Sequence, residues 1–187
     1  MKNIFFLLII ISSNIFYGQS LNDLDIKNGF RHFKFGSTPS QIKNIVKQTN
    51  QSSQNPKVVS YEYIGEDITN IFNVKVDNIY LSFFNNKLFS VGVNFGNMEN
   101  VKNFEIYEFN NILTALENTY GTKWVAPSNK DGVVLNGAIW DANNVRLELV
   151  RIDFSKSYTN PKDYGYISGY INVFDKKLMN AIHSSNF

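Results

Sequence analysis

Residues 79–95 read Ile79-Tyr80-Leu81-Ser82-Phe83-Phe84-Asn85-Asn86-Lys87-Leu88-Phe89-Ser90-Val91-Gly92-Val93-Asn94-Phe95. Two runs that alternate apolar with small polar residues flank a polar tip. That is the pattern of an antiparallel hairpin with one buried face. Loop length decides which side chains share a face. A two-residue Asn85-Asn86 loop opposes Phe84 to Lys87 and mixes polar and apolar residues on both faces. A three-residue Asn85-Asn86-Lys87 loop opposes Phe84 to Leu88. One face then gathers Ile79, Leu81, Phe83, Phe89, Val91, Val93 and Phe95. The other gathers Tyr80, Ser82, Phe84, Leu88, Ser90, Gly92 and Asn94. The cleaner segregation favours the second register, and Asn tolerates the left-handed backbone that such a tip needs.

Working outward, 58–64 is a strand ended by Gly65, and Phe30, Phe33 and Phe35 mark an earlier one. A second hairpin pairs 133–140 with 145–152 through Asp141-Ala142-Asn143-Asn144, and a last strand runs over about 165–174. Helical spacing of Phe109, Ile112, Leu113, Leu116 and Tyr120 predicts a helix over 101–120, stopped by Gly121. Thr38-Pro39-Ser40-Gln41 has the form of a capping box, so a helix is predicted to follow it through Ile42, Ile45 and Val46. A short helix starts near Asp175, with Leu178, Met179 and Ile182 inward. The predicted order is β-α-β-β-β-α-β-β-β-α. Helices segregated onto one face of an antiparallel sheet make the class α+β. The halves 28–97 and 98–187 share this order, which raises a structural repeat as an expectation.

The stretch Phe35-Gly36-Ser37-Thr38-Pro39-Ser40-Gln41-Ile42 resembles the Gly-x-Ser/Thr-x-x-Glu/Gln-hydrophobic entry to the first helix of two exported groups. These are the β-lactamase-inhibitory-protein-like domains and the small outer-membrane assembly lipoproteins. Both are helix-then-antiparallel-sheet modules that bind other proteins. The resemblance implies that fold and a protein-binding role. The chain departs by lacking the lipid-bearing cysteine and an evident second short helix in each half, which sets a lipoprotein-type role aside.

The first twenty residues read as a secretory signal peptide. Lys2 is the positive n-region, 4–11 is an unbroken apolar run, and Gly18-Gln19-Ser20 offers small residues for cleavage after Ser20. A run of this length is too short to span a bilayer, which needs about 20 apolar residues. The expected mature chain is one domain, 21–187, exported to the periplasm or outside, with no integral membrane segment left. It keeps 17 basic and 16 acidic residues. The densest basic block is Lys176-Lys177, so nucleic acid is not an expected partner.

Several chemistries are excluded by composition. No cysteine means no disulfide, no thiol nucleophile and no thiolate metal site. His32 and His183 are the two histidines, without metal-ligand spacing, so neither a metal nor a cofactor is expected. The 27 asparagines go with 15 lysines against 3 arginines. An AT-rich genome produces that skew, so the count says little about function. No catalytic residue is assigned. An alternative reading is a small envelope hydrolase of glycan or peptide using Glu62, Glu66 or Glu148, since glycosidases work with paired carboxylates. A third is a small-ligand cavity walled by Trp140 and phenylalanines, although Trp124 and Trp140 are more simply read as core.

The leading expectation rests on a sheet face. The last strand alternates Tyr166, Ser168, Tyr170 and Asn172 against Ile167, Gly169, Ile171 and Val173. The first set matches the outer set of the 79–95 hairpin, and Tyr158 and Tyr164 extend it. Tyr, Ser and Asn combine rigid amphipathic rings with small hydrogen-bonding groups, an adaptable recognition surface. The expectation is an exported, non-enzymatic domain that binds a protein or peptide partner through Tyr80, Phe84, Tyr158, Tyr164, Tyr166, Tyr170 and Asn172.

Overall fold

The structure is a computed structural model that describes residues 20–49, 55–96, 102–129, 133–154 and 166–185. The expected leader, 1–20, lies outside the described residues except for Ser20, and Tyr158 and Tyr164 lie outside them too. The elements in order are helix α1 (Leu21–Lys27), β1 (Gly29–Phe30), β2 (Phe33–Lys34), a 3-10 turn (Pro39–Gln41), β3 (Ile45–Lys47) and β4 (Val58–Tyr63). Then come β5 (Asn70–Ile71), β6 (Val74–Lys75), β7 (Asn78–Phe84), β8 (Lys87–Phe95) and helix α2 (Ile106–Tyr120). Last are β9 (Val134–Asp141), β10 (Val145–Asp153), β11 (Ile167–Asp175) and helix α3 (Lys176–Ser184). Seven strands form one antiparallel sheet, ordered β3-β4-β7-β8-β11-β10-β9. The chain is α+β, with helices packed against a sheet. No helix among the described residues is long and apolar enough to cross a membrane.

The 79–95 hairpin departs from its predicted loop. Asn85 and Asn86 alone make the tip, both with positive φ (49° and 60°), and Phe84 pairs with Lys87. The register then shifts between Ser82 and Phe83, so that Ser82 faces Ser90 and Leu81 faces Val91. From there on the pairing is the predicted one. The extra residue sits in the strand as a bulge at Phe89, instead of in the loop. A bulge moves one residue across the sheet. Leu88 therefore enters the main core, and Phe89 joins the opposite face.

The helix predicted after Gln41 does not form. The cap itself is present, since Thr38 N–H donates to Gln41 Oε1 at 2.8 Å. It closes one 3-10 turn only. Ile42 is extended, Asn44 takes a φ of 56°, and Ile45 to Lys47 pair with β4 as the edge strand. One and a half turns of apolar spacing do not cover the cost of nucleating a helix, and the β-branched Ile45 and Val46 favour a strand. The motif shared with the exported binding modules thus opens a turn and an edge strand.

Helix α1 was not expected from the sequence. Ser20 and Asp23 form its reciprocal cap, and the Asp25 carboxylate accepts from the N–H groups of Asn143, Asn144 and Val145 at 2.9–3.0 Å. That clamps α1 to the β9–β10 turn. Helix α2 sits beside α1 and buries Phe109, Ile112, Leu116 and Tyr120 as predicted. Each such side chain contributes roughly 1.5–3 kcal/mol on removal from water. Their partners are Leu81, Phe83, Val91, Val93, Phe95, Leu147, Leu149, Ile171 and Val173, which make one face of the sheet. Helix α3 lies across the other face. Ile182, Leu178 and Met179 pack there on Val58, Phe84 and Phe89, a separate small cluster.

Candidate binding face

Helix α3 covers one end of the face opposite the main core, Pro127 lies against Gly137 at its β9 edge, and Val150 and Ile139 on that side are buried as well. The residues of this face follow from the strand registers. One row runs Val46, Glu62, Tyr80, Gly92, Asn172, Glu148, Ile139 across β3, β4, β7, β8, β11, β10 and β9. The next row toward α3 runs Ser60, Ser82, Ser90, Phe174, Arg146, Asp141. The row on the far side runs Asn78, Asn94, Tyr170, Val150, Gly137. Gly92 is at the centre, ringed by Tyr80, Ser82, Asn78, Ser90, Asn94, Asn172, Tyr170 and Phe174.

Three glycines in the sheet interior separate packing from exposure. A Cβ on Gly169 would meet the Phe104 ring at 2.0 Å, and one on Gly137 would meet Pro127 at 2.4 Å. Those glycines make room for side chains of this same chain. A Cβ on Gly92 would meet nothing among the described residues closer than the Tyr80 carbonyl at 4.0 Å. Gly92 also needs no left-handed backbone, as its φ is outside that region. Glycine in a strand interior weakens the strand, and often marks a close approach by another backbone or a ligand. Here nothing among the described residues makes that approach.

The polar groups around Gly92 are held by one another. Ser90 Oγ donates to Asn172 Oδ1 at 2.8 Å, and Asn94 Nδ2 donates to Asn78 Oδ1 at 2.7 Å. Ser60 and Ser82 hydroxyls are 3.2 Å apart, and Gln48 Nε2 donates to Glu62 Oε2 at 3.0 Å. These bonds fix the side chains while leaving capacity for a ligand. Asn172 Nδ2 and the hydroxyls of Tyr80 and Tyr170 have no hydrogen-bond partner among the described residues. Partial burial raises the pKa of Tyr80, with Glu62 and Asp77 adding to it. Burial likewise raises Tyr170, with Glu148 adding and Arg146 opposing. Both phenols therefore stay protonated donors across the physiological range.

The predicted binding residues divide. Tyr80, Tyr170 and Asn172 stand together around Gly92. Tyr166 lies further along the same alternation and stacks on Phe154, ring centroids 5.9 Å apart. Phe84 is 6% exposed and lies under α3, so it belongs to the small core there. Gly92 was read only as one member of the outer set, and its role as a bare floor needed three dimensions.

The other sequence candidates fall elsewhere. Glu62 and Glu148 lie in one row but four strand spacings apart, about 19 Å at ~4.8 Å each. Paired glycosidase carboxylates stand about 5–10 Å apart, so these two do not form such a pair. Glu66 is exposed in the turn after β4. Arg146 and Glu148 form an ion pair, 2.8 Å between Nε and Oε1. Trp140 is fully buried and donates to the Gly121 carbonyl, while Trp124 packs on it and donates to Glu117. Both belong to the core. His32, in the β1–β2 turn, pairs with Asp67 at 3.6 Å. Asp67 also accepts from the Tyr63 hydroxyl, which together with His32 lowers its pKa. That tie closes the end of β4 over the turn. Comparison of the chain with known protein families, with characterised proteins and with solved structures finds no match.

Proposed function

We propose that this is an exported domain that binds an extended peptide segment of a partner protein on the sheet face around Gly92. The observation that carries the reading is the bare strand backbone at Gly92 inside a ring of Tyr, Asn and Ser. A peptide backbone can approach such a floor closely. The two phenol rings supply contact area at low entropy cost, and Asn172 and the hydroxyls supply directional hydrogen bonds. The leader-like first twenty residues support export.

The test uses the full-length purified chain and a fluorescein-labelled pool of random hexapeptides, read by fluorescence polarisation. The double variant Tyr80→Ala with Tyr170→Ala is expected to weaken binding at least tenfold, because aromatic anchors at the centre of an interface carry most of its energy. Equal binding by wild type and variant would remove the face as the site. Self-association in sedimentation that the same variant abolishes would make a second copy of the chain the occupant.

A further inference from the structure

Beside the Gly92 face, where β11 passes into α3, lies a cleft of about 360 Å³ whose lining includes Asp141, Arg146, Glu148, Lys176, Asn180 and His183, with Phe174 and Met179 as its apolar part. Its charges are mostly committed. Lys176 Nζ is 2.9 Å from Asp141 Oδ1 and donates to the Ala142 carbonyl at 2.8 Å. Glu148 Oε1 is 2.8 Å from Arg146 Nε, but that N–H is not aimed at it and is left without an acceptor. The guanidinium lies over the Phe174 ring, 6.0 Å from its centroid. Arg146 donates no hydrogen bond among the described residues, so the forked edge of its terminal Nη groups is available. Asn180 and His183, one turn apart on the same face of α3, also have no side-chain partner there. A planar guanidinium edge with two neighbouring donor side chains suits a planar anion bound through two oxygens.

Resting on the peptide-binding reading above, we propose that this cleft receives the C-terminal carboxylate of the bound peptide, with Arg146 as its principal partner. Distances support the match. Arg146 is two strand spacings from Gly92 and one row toward α3. At about 4.8 Å per strand and about 6.8 Å per pair of residues, the diagonal is roughly 12 Å. Three to four extended residues span it. A peptide lying over Gly92 therefore ends at Arg146, and internal loops of a partner, which have no free carboxylate, are disfavoured.

The experiment compares two labelled random hexapeptide pools on the full-length wild-type chain, one with a free C-terminal carboxylate and one amidated. The acid pool is expected to bind about tenfold tighter, the value of one charge-assisted hydrogen-bonded contact. Arg146→Gln is expected to erase the difference and leave the amidated pool unaffected, and Arg146→Lys to restore only part of it. Equal binding of the two pools by the wild type, still lost in the Tyr80/Tyr170 variant, overturns the carboxylate site and leaves the face intact. Absence of binding by either pool overturns both. Because the decisive comparison is made on the wild type, a folding defect in a variant cannot mimic the result.

Discussion

Replacing Gly92 with Val separates stability from binding at a single position. Gly92 lies in the central strand β8, between β7 and β11, and its backbone is outside the left-handed region. A Cβ there has open space. Valine at such a site gains strand propensity and removes the excess entropy of the unfolded glycine, together about 0.5–1 kcal/mol. For a chain of this size that raises Tm by roughly 2–4 °C. The same two methyl groups stand on the proposed floor and hold a ligand backbone off it, so hexapeptide affinity is expected to fall at least tenfold. Thermal unfolding by circular dichroism and fluorescence polarisation read the two effects on one sample. Gly169→Ala is the control. Its Cβ would collide with the Phe104 ring, which is fully buried, and overpacking of this kind costs about 1–3 kcal/mol. A Tm loss of several degrees in Gly92→Val would mean that the glycine serves packing. A higher Tm with unchanged affinity would mean that nothing binds at the floor. Either result refutes the reasoning.

Three more outcomes follow from the fold. Ile182→Ala removes the α3 side chain most buried against Val58, Phe84 and Phe89, and should cost about 2 kcal/mol in urea unfolding; a change within experimental error would mean that α3 is not docked. Asp25→Ala leaves the N–H groups of Asn143, Asn144 and Val145 without their carboxylate, and should cost about 1–3 kcal/mol, with faster amide exchange at those three positions as the local signature. Alkaline stability has a definite sign. Burial first, then Asp23, raises the pKa of Tyr120, and burial also leads the rise at Tyr80 and Tyr170. A raised folded-state pKa favours the neutral phenol, so stability holds below the unfolded value of 10.0 and is lost as pH rises through the folded values. Absorbance at 295 nm should show a tyrosine fraction ionising above the ordinary value, together with loss of far-ultraviolet circular dichroism; complete ionisation near the ordinary value with an intact spectrum would contradict it.

Much of the sheet was legible because a period of two is strict. The 145–152 strand, the last strand and the apolar edge of α2 each repeat long enough for their faces to be assigned. Errors arose where one residue decided the answer. In the first hairpin, the extra residue could sit in the loop or in the strand, and both choices give the same pairing beyond Ser82. Only the placement of Leu88 and Phe89 differs, and that depended on α3, which needs Phe89 beneath Ile182. At 38–49 a correct cap signal met a segment too short and too β-branched to extend. Helix α1 carried a signal in Ser20 and Asp23, but Ser20 was assigned to the end of the leader, which left the helix without its cap. The binding face was legible as a set of residue types. That Phe84 leaves the set and Gly92 becomes its centre depends on where one nine-residue helix lies.

That placement also explains why the outer face has the composition it has. An antiparallel sheet of seven strands presents two faces, and an apolar face left uncovered would drive aggregation. Helices α1 and α2, with the loops beside them, cover one face, which is mostly apolar, with the buried Arg151 satisfied by the Phe104 carbonyl. Helix α3 reaches only the end of the other. Where it reaches, the strands carry Val58, Phe84 and Phe89; beyond it β7, β8 and β11 carry mainly serine, asparagine and tyrosine, while Ile139 and Val150 toward the β9 edge are apolar and buried. A face with no role beyond solubility would be expected to carry Lys and Glu, which blunt association. The rows around Gly92 instead hold Glu62, Glu148, Arg146 and Asp141 as their charged members, with Glu148 paired to Arg146 and Asp141 to Lys176. Side chains that are neither apolar enough to need a cover nor charged enough to repel one suit a surface that is intermittently occupied. The glycine at its centre costs stability and packs against nothing among the described residues, a cost that the proposed occupant would account for.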